Sequence, residues 1–327
     1  MKPDQPLKPH PILPDYYPDL ARRPAFVRGL FDRTAGYYDR VNRLFSLGSG
    51  SWYRRRALVR AGLRPGMTVL DVAVGTGLVA RQALAITGDP QSVVGLDVSA
   101  GMLAEVGRLL KIPLIQGLVE QLPVTDAAFD FVSMGYALRH VADLNATFRE
   151  FHRVLRPGGT LLILEIARPA PPFKRALLEF YLGRLIPLLS RLTTGNRDMQ
   201  TLMRYYWDTI ENCVPPETII EAIRATGFAQ AGCTVDLGLF RAYFGRKAGA
   251  AVSLSQISRL SGPASGHPDR SARAGRFAAD RSVGARPAET ARKAHPAGRS
   301  VAPPGPVRDD PMSGRPEPLA TNHRREG

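Results

Sequence analysis

Val69-Leu-Asp-Val-Ala-Val-Gly-Thr-Gly-Leu78 is a short apolar run that ends in a turn built on Gly75 and Gly77, with the amphipathic stretch Val79 to Ile86 directly after it. A strand that runs into a glycine turn and opens a helix is the first unit of a parallel α/β sheet. Gly75 and Gly77 let the backbone approach a ligand with no Cβ in the way. Twenty residues after Gly77, Asp97 ends a second run, Ser92-Val-Val-Gly-Leu-Asp97. A carboxylate there accepts hydrogen bonds from both hydroxyls of a ribose. Taken alone, Asp97 fits a helix N-cap or a surface carboxylate as well.

Further runs have the same character: Pro113-Leu-Ile-Gln116, Phe129-Asp-Phe-Val-Ser-Met134 and Thr160-Leu-Leu-Ile-Leu-Glu165. Continuous short apolar runs are what strands buried on both faces require. Amphipathic stretches at Ala100 to Leu110 and Asn145 to Leu155 separate them, and the second stops at Arg156-Pro-Gly-Gly159, a helix terminator and turn. A helical insertion at about 173–210 and a helix at 216–226 follow. Gly232 to Gly245 then reads as two strands joined around Asp236-Leu-Gly238, an antiparallel hairpin at the sheet edge. The expected fold is a doubly wound, Rossmann-like α/β sheet, mostly parallel, with a helical cap.

Two cofactor classes fit the glycine loop. Gly75-Thr-Gly77-Leu-Val-Ala80 satisfies the G-x-G-x-x-G/A pattern of dinucleotide enzymes as well. Asp71 separates them. A carboxylate four residues before Gly75 would repel a pyrophosphate, whereas in S-adenosyl-L-methionine (SAM) it faces an ammonium and the sulfonium region. The residues therefore favour SAM over NAD(P).

The 327 residues carry 44 Lys+Arg against 29 Asp+Glu, a formal charge of +15. The composition breaks near Gly249: the 79 residues from there to Gly327 hold 10 of the 28 prolines, one aromatic (Phe277) and a net charge of +6. Such a segment buries too little apolar surface to offset its ordering entropy, so 249–327 is expected to be a disordered basic tail. Without interleaved aromatics it is not expected to bind nucleic acid specifically. Residues 1–24, with Pro at 3, 6, 9, 11, 14 and 18, read as an extended arm before a domain at 25–248. Two cysteines, Cys213 and Cys233, exclude a disulfide scaffold and suit a reducing cytosol. No apolar run reaches the ~18 residues of a membrane span. The expectation is a cytoplasmic protein. No His, Cys, Asp and Glu set has metal-ligand spacing, so no metal is expected.

Residues 26–247 resemble the ubiquinone/menaquinone biosynthesis C-methyltransferase family, a group of class I SAM-dependent methyltransferases. The resemblance rests on Phe31-Asp-Arg-Thr-Ala-Gly-Tyr-Tyr-Asp-Arg-Val-Asn42, Leu70-Asp-Val-Ala-Val-Gly-Thr-Gly77, Glu120-Gln-Leu-Pro123, Ala137-Leu-Arg-His140 and Arg153-Val-Leu-Arg-Pro-Gly-Gly-Thr-Leu-Leu-Ile-Leu-Glu165. It implies ring C-methylation of a polyprenylated benzoquinol or naphthoquinol with SAM. The alternative acceptor is another aromatic or natural-product molecule, C- or O-methylated; an NAD(P) oxidoreductase is the more distant reading. For the cofactor the resemblance implies Asp71, Ala73, Gly75, Thr76 and Gly77 on the first loop. Asp97, Val98 and Met102 follow on the second, and Leu118 and Val119 near the adenine stand where the family has Asn-Ala. The family's Ser-x-x-x-His-x-x-Trp is here Ser46-Leu-Gly-Ser-Gly-Ser-Trp-Tyr53, lacking both the His and the Trp at their places.

Methyl transfer mainly needs the acceptor held in line, and a phenolic acceptor must also share or lose its proton. Arg139 and His140, after the fourth strand, are the candidates for that work, with Tyr38 on an N-terminal helix that resembles the family's lid. His140 fits a base, an acceptor contact or a structural residue. Arg139 fits phenolate stabilisation, or a salt bridge to Asp143. Tyr38 fits a lid contact or the core, and His152 a helix surface. The insertion, with Lys174, Arg175, Arg184 and Arg191 among bulky apolar residues, fits a packed cap. It also fits a greasy entrance for a lipid-tailed acceptor, peripheral at the inner face of a membrane. Deleting residues 250–327 is expected to leave melting behaviour and SAM affinity nearly unchanged; a truncated protein that no longer folds would show that the tail packs.

Overall fold

The computed structural model describes residues 5–249 apart from 47, 48, 167 and 170. Residues 250–327, and with them the expectation of a disordered tail, lie outside the described residues. Seven strands form one sheet in the order β3-β2-β1-β4-β5-β7-β6. The strands are β1 (Val69–Val72), β2 (Val93–Asp97), β3 (Leu114–Gln116), β4 (Phe129–Gly135), β5 (Leu155–Ile166), β6 (Phe228–Asp236) and β7 (Phe240–Lys247). The first five are parallel; β7 runs antiparallel to both β5 and β6. This is the doubly wound sheet with an antiparallel edge hairpin that the sequence implied.

The helices are α1 (Arg23–Ser46), α2 (Ser49–Arg60), α3 (Leu78–Thr87), α4 (Ala100–Leu109), α5 (Leu144–Val154), α6 (Pro172–Leu178), α7 (Ile186–Thr194), α8 (Arg197–Glu211) and α9 (Pro216–Ala225). Local chemistry sets several starts. The Ser99 hydroxyl accepts the Met102 N–H at 3.1 Å, and Asp143 accepts the Asn145 N–H at 2.9 Å, so each caps its helix. On α5 the buried positions Leu144, Thr147, Phe148, Phe151 and Val154 fall on one helical face. Successive side chains of β1 alternate between two cores, Leu70 and Val72 into one and Val69 into the other.

One boundary and one burial differ from the sequence expectation. Helix α5 ends at Val154, and β5 begins at once, carrying Arg156-Pro-Gly-Gly159 as a bulged strand start. Gly158 takes φ +80 and donates its N–H to Ala248 O at 3.2 Å, which folds that segment into the sheet rather than into a free turn. His152 is half-buried, edge-on to Phe228 with ring centroids 5.2 Å apart, instead of lying on the open helix surface.

Residues 5–22 form no helix or strand and are bound down on the domain. The Leu7 N–H donates to Asp143 at 2.9 Å, Leu144 N–H donates to Leu7 O at 2.8 Å, and Val214 N–H donates to Pro9 O at 2.8 Å. The cap, from α6 through a π-helical turn at Glu179–Leu185 to α8, closes a third core with α1 around Leu30, Met199, Leu202 and Tyr205. Among the described residues, no helix is long and apolar enough to cross a membrane.

Gly77 shows how tightly the first loop is packed. A Cβ on it would lie 2.6 Å from Val106 Cγ2 and 2.9 Å from Leu110 Cδ1, at φ +83. Gly77→Ala is expected to cost about 2–4 kcal/mol from left-handed strain plus overpacking. Urea unfolding checks this, and Val106→Ala in the same chain should restore part of the loss.

Candidate functional site

The order of the sheet reverses between β1 and β4, and a cavity of about 400 Å³ opens outside the carboxyl ends of these strands. Asp71, Ala73, Gly75, Thr76, Asp97, Val98, Met102, Leu118 and Val119 line it, as do Tyr38 and His140. Two of the residues singled out from sequence do not. Gly77 sits behind the loop, where its N–H donates to Val74 O at 2.9 Å and its missing Cβ makes room for Val106 and Leu110. Its glycine serves helix packing. Gly75, by contrast, has φ +54 and open space where a Cβ would project.

Arg139 is the second correction. Its guanidinium is 1% exposed, donates from Nε to Glu165 at 3.0 Å and lies over the Tyr206 ring at 4.4 Å, off the cavity wall. The salt bridge to Asp143 does not form; Asp143 caps α5 and holds Leu7 instead. Glu165 also accepts the Leu138 N–H at 2.9 Å, so one buried carboxylate fixes both the turn after β4 and the Arg139 side chain. Breaking such a pair from one side costs about 3–5 kcal/mol, because the other charge is left alone.

The carboxylates of the first two strands face the cavity from different surroundings. Asp71 is 1% exposed; its Oδ1 accepts the Ser133 hydroxyl at 2.6 Å, and its buried Oδ2 has no hydrogen-bond partner. Burial pushes its carboxyl up to about 7, with Ser133 opposing the shift. Asp97 accepts the Gly75 N–H at 2.8 Å and the Ser99 N–H at 2.9 Å, tying the ends of β1 and β2 together. Burial raises it to about 6. Helix α1 clamps the same loops: Thr76 donates to Asp39 at 2.5 Å, and Ser99 donates to Asp32 at 2.5 Å.

His140 follows the turn after β4, edge-on to Phe31 at 5.3 Å and stacked on Tyr205 at 5.4 Å. Both ring nitrogens are buried without a hydrogen-bond partner. Desolvation, then the charges of Arg139 and Arg23, hold its pKa well below 6.5, so the imidazole is neutral. Burial raises the Tyr38 phenol above its usual range, so it is a neutral donor.

A second chamber of about 120 Å³ adjoins the first, sharing Tyr38, Asn42, Arg54 and Tyr136 with it. Its remaining walls are mostly apolar and come chiefly from the cap and the β6–β7 hairpin, among them Leu182, Met203, Tyr206 and Phe240, with Val41, Gly50 and Ile166 completing them. Sequence reasoning missed Arg54. The signal was helical spacing: Arg54 shares the buried face of α2 with Gly50, Ala57 and Leu58, in a run of three arginines of which the other two are exposed. Among the described residues, no group of three His, Cys, Asp or Glu side chains could hold a metal ion.

Residues 20–244 match the model of the ubiE/COQ5 methyltransferase family. The chain belongs to that family. It is 31% identical over 221 residues to the ubiquinone/menaquinone biosynthesis C-methyltransferase UbiE of Shewanella sp. (strain W3-18-1), covering 65% of this chain and 86% of that one. It is 35% identical over 213 residues to a demethylmenaquinone methyltransferase of Corynebacterium efficiens, covering 65% and 90%. Among solved structures, a SAM-dependent methyltransferase from Aquifex aeolicus matches with TM-score 0.46 and 18% identity, covering 64% and 97%. This family member is therefore a methyltransferase.

The raised Asp71 carboxyl predicts a pH dependence of unusual sign. Between its ordinary value of 3.8 and about 7 the folded state binds more protons than the unfolded one, so stability falls as pH rises through that window. Asp71→Asn, which keeps an oxygen for Ser133, is expected to flatten the fall and to melt higher than wild type at pH 8. Thermal melts from pH 5 to 9 test this; an unchanged slope would refute it.

Proposed function

We propose that this methyltransferase C-methylates the ring of a quinol, a benzoquinol or naphthoquinol with a lipid tail, using S-adenosyl-L-methionine as methyl donor. The observation that carries the reading is the pair of adjoining chambers, one holding an unpartnered buried carboxylate oxygen and the other walled by apolar cap residues. Asp71 Oδ2 fits the ammonium of the donor's amino acid end, since a cation there supplies the partner that burial denies it. Asp97, with lone pairs left beyond its two backbone bonds, fits the ribose hydroxyls. Ala73, Gly75 and Thr76 border the same end, while Val98, Met102, Leu118 and Val119 offer an apolar slot for the adenine. Family membership, and relatives named for ubiquinone and menaquinone biosynthesis, support the quinol as acceptor.

When bound there, SAM supplies an electrophilic methyl group whose transfer needs no metal. The chain's own residues align, polarise and keep water out. Holding the acceptor carbon in line with the methyl group lowers the barrier by several kcal/mol. His140, neutral and with free ring nitrogens, accepts a hydrogen bond from one ring hydroxyl and pushes electron density into the ring. Tyr38 packs between the two ligands. Arg139 acts from behind, its pairing with Glu165 fixing the turn that presents His140.

The cap suits the tail of such an acceptor. Phe173, Leu177, Phe180, Leu188 and Leu192 are exposed along α6 to α7, with Lys174, Arg184 and Arg191 beside them. An exposed apolar stripe flanked by cations fits peripheral docking on an anionic membrane surface.

Purified protein with labelled SAM and a panel of demethylated quinols, prenylated and not, beside simple phenols, tests the reading. Label at ring carbon of a quinol is expected; transfer only to hydroxyl oxygen, or only to untailed phenols, would replace the quinol with another aromatic acceptor. His140→Ala is expected to lower kcat about 10²-fold, the low end for a positioned proton acceptor, while S-adenosylhomocysteine binds as before.

A further inference from the structure

Arg54 is a buried cation that makes no ion pair; the opposite charge it feels from the protein, Asp71 across the larger cavity, is not in contact with it. Arg54 is 6% exposed, and its Nε is shielded from water with no acceptor in reach. Among the described residues its guanidinium makes neither an ion pair nor a hydrogen bond; its contact is the face of the Tyr136 ring, 5.3 Å from the centroid. Every other strongly buried arginine here is better provided. Arg139 has Glu165, and Arg23 donates to the Arg139 carbonyl at 2.8 Å and meets His10 at 2.9 Å. Burying a guanidinium unpaired is unfavourable, and such a group belongs where a ligand brings the missing charge.

Its position says which ligand. Arg54 lines both chambers, at the junction where a methyl group would pass from donor to acceptor. The smaller chamber contains no carboxylate, and none of the loop residues Asp71, Gly75 or Asp97. Its polar side chains besides Arg54 are Tyr38, Asn42, Tyr136, Tyr181 and Tyr206, all uncharged. An anion that meets Arg54 from that side must come with the acceptor.

We propose that Arg54 anchors the acceptor through an ionised ring oxygen, so that the enzyme takes its aromatic substrate as the phenolate. This rests on the reading of the second chamber as the acceptor site. A para-diol then spans the two groups, one oxygen on the Arg54 guanidinium and the other hydrogen-bonded to neutral His140. On binding, the first hydroxyl gives its proton to water and keeps the O–H electron pair. That pair feeds the ring carbon, which forms the new C–C bond as the methyl–sulfur bond breaks and sulfur keeps its electrons. The attacked carbon next loses its hydrogen as a proton to water, restoring the aromatic ring as a phenolate. The product takes up one proton on release, so a single proton is liberated per turnover. A guanidinium is suited to this role because it stays charged at every working pH and offers a planar set of donors.

The test uses 4-nitrophenol, whose anion absorbs in the visible, titrated across pH with the full-length protein, both with S-adenosylhomocysteine and without it. Wild-type protein is expected to move the probe's ionisation down by about one pH unit or more, as a close positive charge does. Arg54→Gln should abolish the shift, and Arg54→Lys, which keeps the charge but not the planar fork, should retain part of it. S-adenosylhomocysteine affinity, measured by calorimetry, should stay within about threefold of wild type in both variants. Absence of probe binding or of a shift in wild type overturns the assignment, as does a shift that survives Arg54→Gln. A large loss of S-adenosylhomocysteine affinity in Arg54→Gln with the shift intact overturns it too, and gives Arg54 to the carboxylate of the donor. If the Arg54-dependent shift is present but no quinol is methylated, the quinol reading fails and the anion site stands.

Discussion

The reversal of strand order beside β1 is the constraint from which the site follows. The chain leaves β1 towards β2 and β3, then returns to place β4 and β5 on the other side, so the connections diverge and the strand ends stay uncovered. Both turning points carry non-glycine residues in the left-handed region, Ala73 at φ 53 and Tyr136 at φ 60. Each costs on the order of 1–3 kcal/mol and persists only where the surroundings impose it. Neighbouring strands do so: Val74 N–H donates to Leu96 O at 2.9 Å, and Tyr136 N–H donates to Leu164 O at 2.7 Å. The crevice is thus held open by backbone that would relax elsewhere.

In and behind it, buried charges are met in different ways. Arg139 and Glu165 neutralise one another, and their pairing shapes the turn after β4. Asp71 and Arg54 make no ion pair: both line the larger cavity, where the Arg54 charge opposes the rise of the Asp71 carboxyl only in small part, and Arg54 also reaches the junction. Burial of both carries an electrostatic cost, and the zwitterionic donor and anionic acceptor proposed above would each bring an ion-pair partner to one of them. The raised Asp71 carboxyl is the sign of that cost.

The strands and their order of appearance were legible because buried parallel strands leave short continuous apolar runs, and Gly75 and Asp97 because their spacing is fixed by one βαβ unit. What was not legible depends on partners far along the chain. Arg139 follows β4 as a site residue should, yet Glu165, 26 residues later, ends β5 at the height where it captures the guanidinium. Arg54 stands in a run of three arginines, and only its phase on α2 distinguishes it from the two exposed ones. Gly77 belongs to the glycine pattern, but the demand for glycine comes from Val106 on α4 and Leu110 just after it rather than from a ligand. The Arg156-Pro-Gly-Gly159 segment carries turn residues, and its neighbour strand still draws it into the sheet through Phe129 and Leu155.

Helix α1 is what makes the two chambers one device. Asp39 holds the Thr76 hydroxyl, Asp32 holds Ser99 and the Gly101 N–H at 3.1 Å, and Phe31 and Tyr38, each next to one of these anchors, line the larger cavity. Tyr38 and Asn42 are the helix's part of the wall common to both cavities, which Arg54 and Tyr136 complete. A donor bound against the Gly75–Thr76 loop, as proposed above, would therefore bear on Asp39, the residue next to Tyr38, and through it on the partition. The cap packs against the other side of α1 through Leu30, Met199 and Leu202. The Gly75–Thr76 loop, the partition and the cap are in this way joined through a single helix, and under the proposed function the alignment of methyl group and acceptor carbon would depend on how that one helix sits.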